Sequence, residues 1–435
     1  MNHNESMAYL MQIAKYGSNL GLATVGNLLR RMGNPQDKLR FVHVAGTNGK
    51  GSIVAFISSV CIGAGYTTGC FTSPDIYSYN ERVRVNAEMI SDDDVARILT
   101  GISVHAQAME RAGEGKPTVF EVSAALAFQY FYERRCDVVA LEVGLGGRLD
   151  ATNIIKCPTC AVITSIGFDH KDRLGDTLSA IAYEKAGIIK PGGTVVSAAQ
   201  TPEVRETLIR VCDDRQAGLT FVNPGDIDEQ GHDIAAQRFD YREYGKLAIS
   251  LMGDHQLGNA ALAIEAIEVL RAKGFAITDG HIREGLGNTR WAGRFETLRQ
   301  NPPVIVDGAH NEPGAASLRA ALDKYIGSDH HSVSFIIGIL DTKDYRGMIA
   351  QVENLAYAFY TVTPNNPHAI PAAELAEIIR KQTGSANVIV CKSVDDAIDS
   401  ALNTGKPVCA FGSLYYIGEV RKRFVDQQMD SVYLG

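Results

Sequence analysis

The stretch FVHVAGTNGKGSIVAF, residues 41–56, sets glycines, a lysine and a serine where an apolar strand would pass into a helix. Backbone N–H groups at such a helix N-terminus, with a lysine beside them, can cradle a phosphate. The spacing departs from the strict G-x-x-x-x-G-K-[ST] pattern. With Gly49-Lys50 as the GK pair, the first glycine position holds Val44, and Gly51 stands where the hydroxyl belongs, with Ser52 one place late. Two other apolar runs also end in groups that could do chemistry: DVVALE ends at Glu142, and AVITSIG runs into Phe168-Asp169-His170. In parallel α/β sheets ligands bind beyond the carboxyl ends of the strands. If these three strands share a sheet, Lys50, Glu142 and His170 lie on one edge. Singly, each has a plainer reading as a turn, a solvated strand end or a loop residue. Together they suit a nucleotide phosphate and a Mg²⁺ ion, whose oxygen ligation is near octahedral. A further run, VIVDGAHN, ends at Asp307 and His310. Its plain reading is a strand-to-helix turn with Asn311 as N-cap. Its functional reading is a second ligand-binding edge facing the first across a cleft.

The elements that must position these groups follow from periodicity. Residues 5–32 read as short helices. From residue 40, buried strands (RFVHVAG, TTGCFTSP, CDVVALEVG, TCAVITSIGFDH) alternate with helices (KGSIVAFISSVCIGAG, 92–113, TVFEVSAALAFQYFYERR). GDTLSAIAYEKAGIIKPGG reads as a helix stopped by Pro191 and two glycines. Alternation of this kind predicts a doubly wound α/β domain with parallel strands. Residues 230–252 alternate at period two around REYGK and predict a small antiparallel sheet. Helices resume at QLGNAALAIEAIEVLRAKG and TDGHIREGLGN. The prolines after GRFETLRQ suggest a linker at 297–303, separating a domain at 1–296 from one at 304–435. The second domain repeats the alternation: strands VIVDG, SVSFIIGI, AYAFYTV, NVIVCK and PVCAFG, helices near 312–325, 344–354, 371–383 and 394–404, and a last helix after Gly412. The expected fold class is α/β, a P-loop doubly wound domain with a small antiparallel sheet and a smaller Rossmann-like C-terminal domain.

Composition narrows the partners. The 435 residues are 45% hydrophobic and 21% charged, with net charge −8 and no basic run, which gives nucleic acid no general attraction. The N-terminal residues lack a basic stretch followed by an apolar one, so no secretory signal is expected. The uncharged stretch from Gly51 to Pro74 is interrupted by GAGYTTG and reads as buried helix, turn and strand, not as a membrane span. Cys157 and Cys160 form one CxxC without the second pair a zinc ribbon needs. The eight cysteines read better as small buried hydrophobes in a reducing cytoplasm. The histidine pair in DHHS, 329–332, reads as a solvated loop.

Ten ordered motifs then carry a resemblance: HVAGTNGKGS, TSP with ERV, FEVSAALAF, LEVGLGGRLDATN, TSIGFDH, EKAGIIKPG, HQLGNAALAI, GRFE, VDGAHN and FGSLYYIGEVR. From about residue 16 to about residue 425 the chain resembles the folylpolyglutamate synthase and dihydrofolate synthase family of the Mur ligase superfamily. The resemblance implies that Asn48, Gly49, Lys50, Gly51 and Ser52 contact ATP phosphates. It implies that Ser73, Glu142 and His170 hold Mg²⁺, expected as two ions, and that Lys185 is carbamylated and joins them. Carbamylation needs a neutral amine, hence a depressed pKa; the plain reading of Lys185 is a surface lysine. Lys50, His170 and Lys185 would form the catalytic set. Asn259 and Arg294, with Asp307 and His310 across the cleft, would close around ATP. Thr118, Val119, Leu149 and Arg82 would bind the pterin-bearing substrate, and Lys343, Asp344 and Ser413 would lie near the glutamate or nucleotide. Asp75, Lys171, Ala292 and His368 depart from the family's usual residues.

The implied reaction is ATP-dependent joining of L-glutamate to a reduced folate through an acyl phosphate; relatives of this kind often also join glutamate to dihydropteroate, and no single residue here decides between the two. The expected protein is a cytoplasmic monomer that binds neither nucleic acid nor membrane. A peptidoglycan-type Mur ligase would carry a UDP-binding domain ahead of the loop, where about 45 residues stand. A non-catalytic P-loop module would not need Glu142, His170, Lys185 and Asp307 together.

Overall fold

The computed structural model describes residues 1–17, 21–76, 78–233, 236–384 and 387–424; the end of the second expected domain, 425–435, lies outside them. Eight strands form the first sheet. Its centre is parallel: Thr68–Phe71, Val138–Glu142, Phe41–Ala45, Cys160–Ile163, Thr194–Ser197 and Gly218–Phe221, in that spatial order. Val83–Val85 and Glu88–Met89 close one edge antiparallel. The strand before the glycine loop therefore sits between the strands that end at Glu142 and run toward His170, as the shared-edge reading requires.

Both faces of this sheet are covered, so its strands are apolar throughout. Val138 and Ala140 enter a core with the helices Lys50–Gly63, Asp254–Ala272 and Asp279–Asn288. Val139 and Leu141, one residue out of step, enter another with Asp92–Ala112 and Val119–Glu133. The loop helix Lys50–Gly63 is buried nearly all round because two helices pack on it from the side opposite the sheet. The helix and strand of the uncharged stretch 51–74 are core, joined by a partly exposed turn at 63–67, and among the described residues no helix is long and apolar enough to cross a membrane.

The antiparallel unit at 230–252 is present as Ile227–His232, Gln237–Tyr241 and Tyr244–Ile249. Phe239, Tyr241, Leu247 and Ile249 turn its apolar face into the core beneath Asp254–Ala272. The second sheet runs Glu296–Gln300, Pro303–Val306, Val408–Phe411, Val333–Ile337, Ala356–Thr361, Val388–Val390, parallel except at its first strand. Helices Glu312–Tyr325, Tyr345–Val352 and Ala372–Thr383 cover one face, and Val394–Leu402 and Leu414–Lys422 the other.

Two expectations change. The segment 297–303 is no free linker: Glu296–Gln300 pairs antiparallel with Pro303–Val306 and forms the edge of the second sheet. The prolines mislead there, since Pro302 lies in the turn and Pro303 opens a strand, places where a missing N–H is tolerated. The helix expected to run to Pro191 ends at Ala186. Its last carbonyls are taken by the loop after Glu142: Arg148 N donates to Glu184 O at 2.8 Å, and Asn153 Nδ2 to Gly187 O at 3.1 Å. Seven of the eight cysteines are buried and Cys157 is exposed.

Candidate active site

The loop Gly46–Gly49 carries the chain from strand to helix with its backbone forced into shapes that exclude side chains. A Cβ on Gly46 would overlap Thr164 Oγ1, and Gly49 has φ 88°. No side chain caps the helix that starts at Lys50. Its N-terminal amides are left for a ligand, the arrangement that favours an anion. Gly51 is required for a different reason: a Cβ there would lie 2.9 Å from Trp291 Nε1. Ser52 is buried and accepts from Gln256 Nε2 at 3.2 Å. Asn259 packs against Gly49 and donates to Gln256 Oε1 at 2.9 Å.

Two lysines converge under this loop. Lys50 Nζ donates to Gly46 O at 3.2 Å and Thr47 O at 3.0 Å; Lys185 Nζ donates to the same Gly46 O at 2.7 Å. Both are pushed below the ordinary lysine value by burial, and Lys185, repelled also by Lys50, reaches about 7. Lys185 is therefore a buried amine and not a surface lysine. Glu142 is buried 5% exposed at the end of its strand, and Ser73 N donates to its Oε2 at 3.3 Å. Burial raises its carboxyl above the ordinary range, opposed by Lys50 and Arg294.

Across the cleft, the second sheet supplies side chains. Asp307 accepts from Phe295 N and Ala309 N, both at 2.8 Å. Burial raises its carboxyl, while Arg294 opposes the rise. Asn311 is the N-cap of Glu312–Tyr325, as the plain reading had it, and it also bonds Asn48 of the loop at 3.2 Å. His310 is lowered to about 4 by burial and by Lys343; its Nδ1 lies 2.7 Å from Gly308 O.

Loop, Ser73, Glu142, His170, Lys185, Asn259, Arg294, Asp307 and His310 line one polar cavity of about 170 Å³. A second, of about 380 Å³, is lined by Arg82, Thr118, Leu149, Lys343 and Ser413, with the aromatic Phe120 and Tyr415. Ser73, Pro74, Gly144, Leu145, His170, His310 and Leu414 belong to both walls, so the two spaces adjoin. Val119 is not on either wall; it starts a helix, half-buried against the core. Asp344 is not either, since its carboxylate caps Tyr345–Val352 by accepting from Gly347 N at 3.1 Å. Arg82 reaches the cavity paired with Asp75, Nε to Oδ1 at 2.6 Å.

The structure adds residues that spacing did not single out. Asp169 accepts from Lys343 Nζ at 2.8 Å and from Asn311 Nδ2 at 3.2 Å, tying the two domains at the cleft. Burial opposes its ionisation, but Lys343 and His170 hold its carboxyl well below the ordinary range. His255, lowered to about 4 by burial and Arg294, and Gln256 also line the nucleotide-side cavity. Asp169 was visible as the neighbour of His170; its partner 174 residues away was not.

A divalent ion can be tested against the donors present. Among the described residues no three His, Cys, Asp or Glu side chains form a metal cluster. Glu142 with Ser73, opening onto the phosphate loop, fits an ion that takes one carboxylate and completes its shell from phosphate oxygens and water. His170 is exposed, with Nε2 3.5 Å from Lys343 Nζ.

Comparison with known proteins agrees with this geometry. The Mur ligase middle domain family model matches residues 44–267, and the Mur ligase glutamate ligase domain model matches 293–414. The chain is 37% identical to a dihydrofolate synthase/folylpolyglutamate synthase of Bacillus subtilis, over 97% of this chain and 99% of that one. It is 34% identical to the folylpolyglutamate synthase of Lacticaseibacillus casei, over 97% and 98%. The Mycobacterium tuberculosis folylpolyglutamate synthase complexed with ADP superposes with TM-score 0.87 at 28% identity, covering 97% of this chain and 99% of that one. The chain belongs to the folylpolyglutamate synthase and dihydrofolate synthase family of the Mur ligase superfamily, a family of ATP-dependent, folate-related amide ligases.

Proposed function

We propose that this protein adds L-glutamate to tetrahydrofolate and its γ-glutamyl derivatives, using ATP, by way of an acyl phosphate. The observation that carries the reading is the shared wall between the polar cavity at the loop and the larger cavity beside it. A carboxylate does not condense with an amine at neutral pH without activation, so the carboxyl and the γ-phosphate must meet. A folate lying in the larger cavity would present its terminal carboxyl at that wall.

ATP would place its phosphates on the uncapped amides of the loop helix, with Lys50 swinging from its carbonyl partners to the β- and γ-phosphates. Glu142 and Ser73, together with His170 and a carbamate on Lys185, would hold Mg²⁺, which supplies charge neutralisation for the transferring phosphoryl group. The depressed pKa of Lys185 supports the carbamate, because it is the neutral amine that takes up CO₂. Arg294, with Asp307 and His310 from the second domain, would close over the nucleotide and exclude water from the acyl phosphate. The glutamate amine then attacks the acyl carbon and phosphate leaves. We place the protein in the cytoplasm, as a monomer.

The test is ATP, Mg²⁺, tetrahydrofolate and labelled glutamate with the full chain. Glutamate-dependent ADP release and a lengthened folate are expected; their absence would overturn the reading. Dihydropteroate in place of tetrahydrofolate separates a bifunctional enzyme, as the Bacillus subtilis relative is named, from a chain-extending one.

A further inference from the structure

The strand Phe41–Ala45 carries a polar residue where its neighbours are apolar. Val42 and Val44 face the core that holds the loop helix, and His43, on the opposite face, is also fully buried. Burying an imidazole is costly unless it makes a hydrogen bond. His43 makes one, between Nε2 and Thr152 Oγ1 at 2.9 Å, while its Nδ1 has no partner. Burial, with Lys190 nearby, lowers its pKa to about 3, so the ring is neutral.

The direction of that bond follows from the next residue in the row. Asp150 Oδ1 accepts from Thr152 N, and Oδ2 accepts from Leu145 N, both at 2.9 Å. Burial pushes its carboxyl up, and the bonds from Thr152, Leu145 and Gly144 oppose the rise. With an amide donating to each oxygen, Asp150 is an acceptor, so the Thr152 hydroxyl gives it its one proton. The Thr152 oxygen is left to accept, and the donor is His43 Nε2–H. This row of bonds ties the loop after Glu142 to the strand that ends in the phosphate loop. Gly144 and Leu145 of that loop line both cavities, and Leu149, Asp150 and Ala151 line the larger one. Arg148 and Asn153 tie the same loop separately to Glu184 and Gly187.

We propose that His43 is a positioning residue, which through Thr152 and Asp150 holds the wall of the acceptor cavity in register with the phosphate loop. That loop begins at Gly46, three residues further along the same strand. One strand then sets both reacting groups: the γ-phosphate at its end, and the acceptor carboxyl at a wall held from its middle. The proposal deepens the folate-ligase reading and rests on it for the identity of the acceptor. The tie is directional. It needs a donor at the Nε2 position, which glutamine supplies and leucine does not.

Thr152→Val removes the hydroxyl at nearly constant shape, and His43→Leu removes the donor. Thr152→Ser and His43→Gln keep a hydroxyl and a donor nitrogen. In the glutamate-addition assay the first two should raise KM for tetrahydrofolate about fivefold or more, as for one lost hydrogen bond, while ADP affinity by calorimetry stays within about twofold. Thr152→Ser and His43→Gln should recover most of that loss. Hydrogen exchange of the full chain without substrate, read by mass spectrometry, reports the tie directly. Residues 144–153 should exchange faster in Thr152→Val and regain native protection in Thr152→Ser. This arm needs no turnover, so a protein without ligase activity would overturn the functional reading and still leave the tie tested. An unchanged KM with lowered stability would reduce His43 to a packing role and overturn the proposal. So would equal losses of tetrahydrofolate and ADP affinity, or native exchange of 144–153 in Thr152→Val. Should His43→Leu not fold, Thr152→Val carries the test.

Discussion

Two strand-to-helix turns face each other across the cleft, and they are built in opposite ways. Gly46–Gly49 joins Phe41–Ala45 to Lys50–Gly63, and Asp307–Asn311 joins Pro303–Val306 to Glu312–Tyr325. The first helix starts without a side-chain cap. The second is capped by Asn311, whose side chain accepts from Gly314 N, while Asp307 takes two more backbone amides. A helix N-terminus can give its amides to a ligand or to its own side chains, but not to both. The first turn is therefore an anion cradle. The second contributes side chains, Asp307 and His310, held rigid by the same bonds that close its backbone.

The contrast can be attacked from either turn. The largest effect is expected on the cradle's charge partners: Lys50→Ala or Glu142→Ala should lower glutamate-dependent ADP release by roughly 10²–10³-fold or more. Near-native rates in either would remove that residue from the site. Next, Gly49→Asp supplies the first helix with the cap and negative charge it lacks, at a position whose φ of 88° also disfavours a side chain. ADP affinity, measured by calorimetry, should weaken about tenfold or more. Undiminished affinity would mean that the amides do not hold phosphate.

The amine beneath the cradle gives a pH test. Lys185 lies at about 7 against an ordinary 10.5, so it is protonated below about 7 and neutral above. Carbamate formation, followed with ¹³C-bicarbonate by NMR, should increase as pH rises through 7 and disappear in Lys185→Arg. A carbamate signal that persists in this variant would place the modification elsewhere. The smallest effect belongs to the second turn. Asn311→Ala removes a helix cap and should cost about 1 kcal/mol. For a domain of this size that lowers the melting temperature by ≈ 2–4 °C. A much larger loss of activity than of stability would show that the Asn311–Asn48 bond across the cleft matters more than the cap.

Much of this was readable in the chain. Apolar runs buried on both faces, broken by glycine and followed by helical periodicity, foretold both parallel sheets and the shared edge of Lys50, Glu142 and His170. What misled was local. Prolines at 302–303 imitate a linker, because a missing N–H looks alike in a linker and at a sheet edge. Val119 and Asp344 sit beside cavity residues in sequence, but a helix start packs one, half-buried, against the core and spends the other on a cap.

The sequence by itself determined where strands must end, where the glycine loop follows its strand, and how the two α/β units follow one another, because these depend on periodicity and backbone chemistry over a few residues. Only the tertiary structure decided the pairings across long separations: Asp169 with Lys343, Asn48 with Asn311, and the two lysines on Gly46 O. The depressed pKa of Lys185 and the stacking of Arg84 on Trp291 belong there too. Charge, burial and the lack of a partner are properties of a residue's surroundings, and those surroundings exist once distant segments have packed.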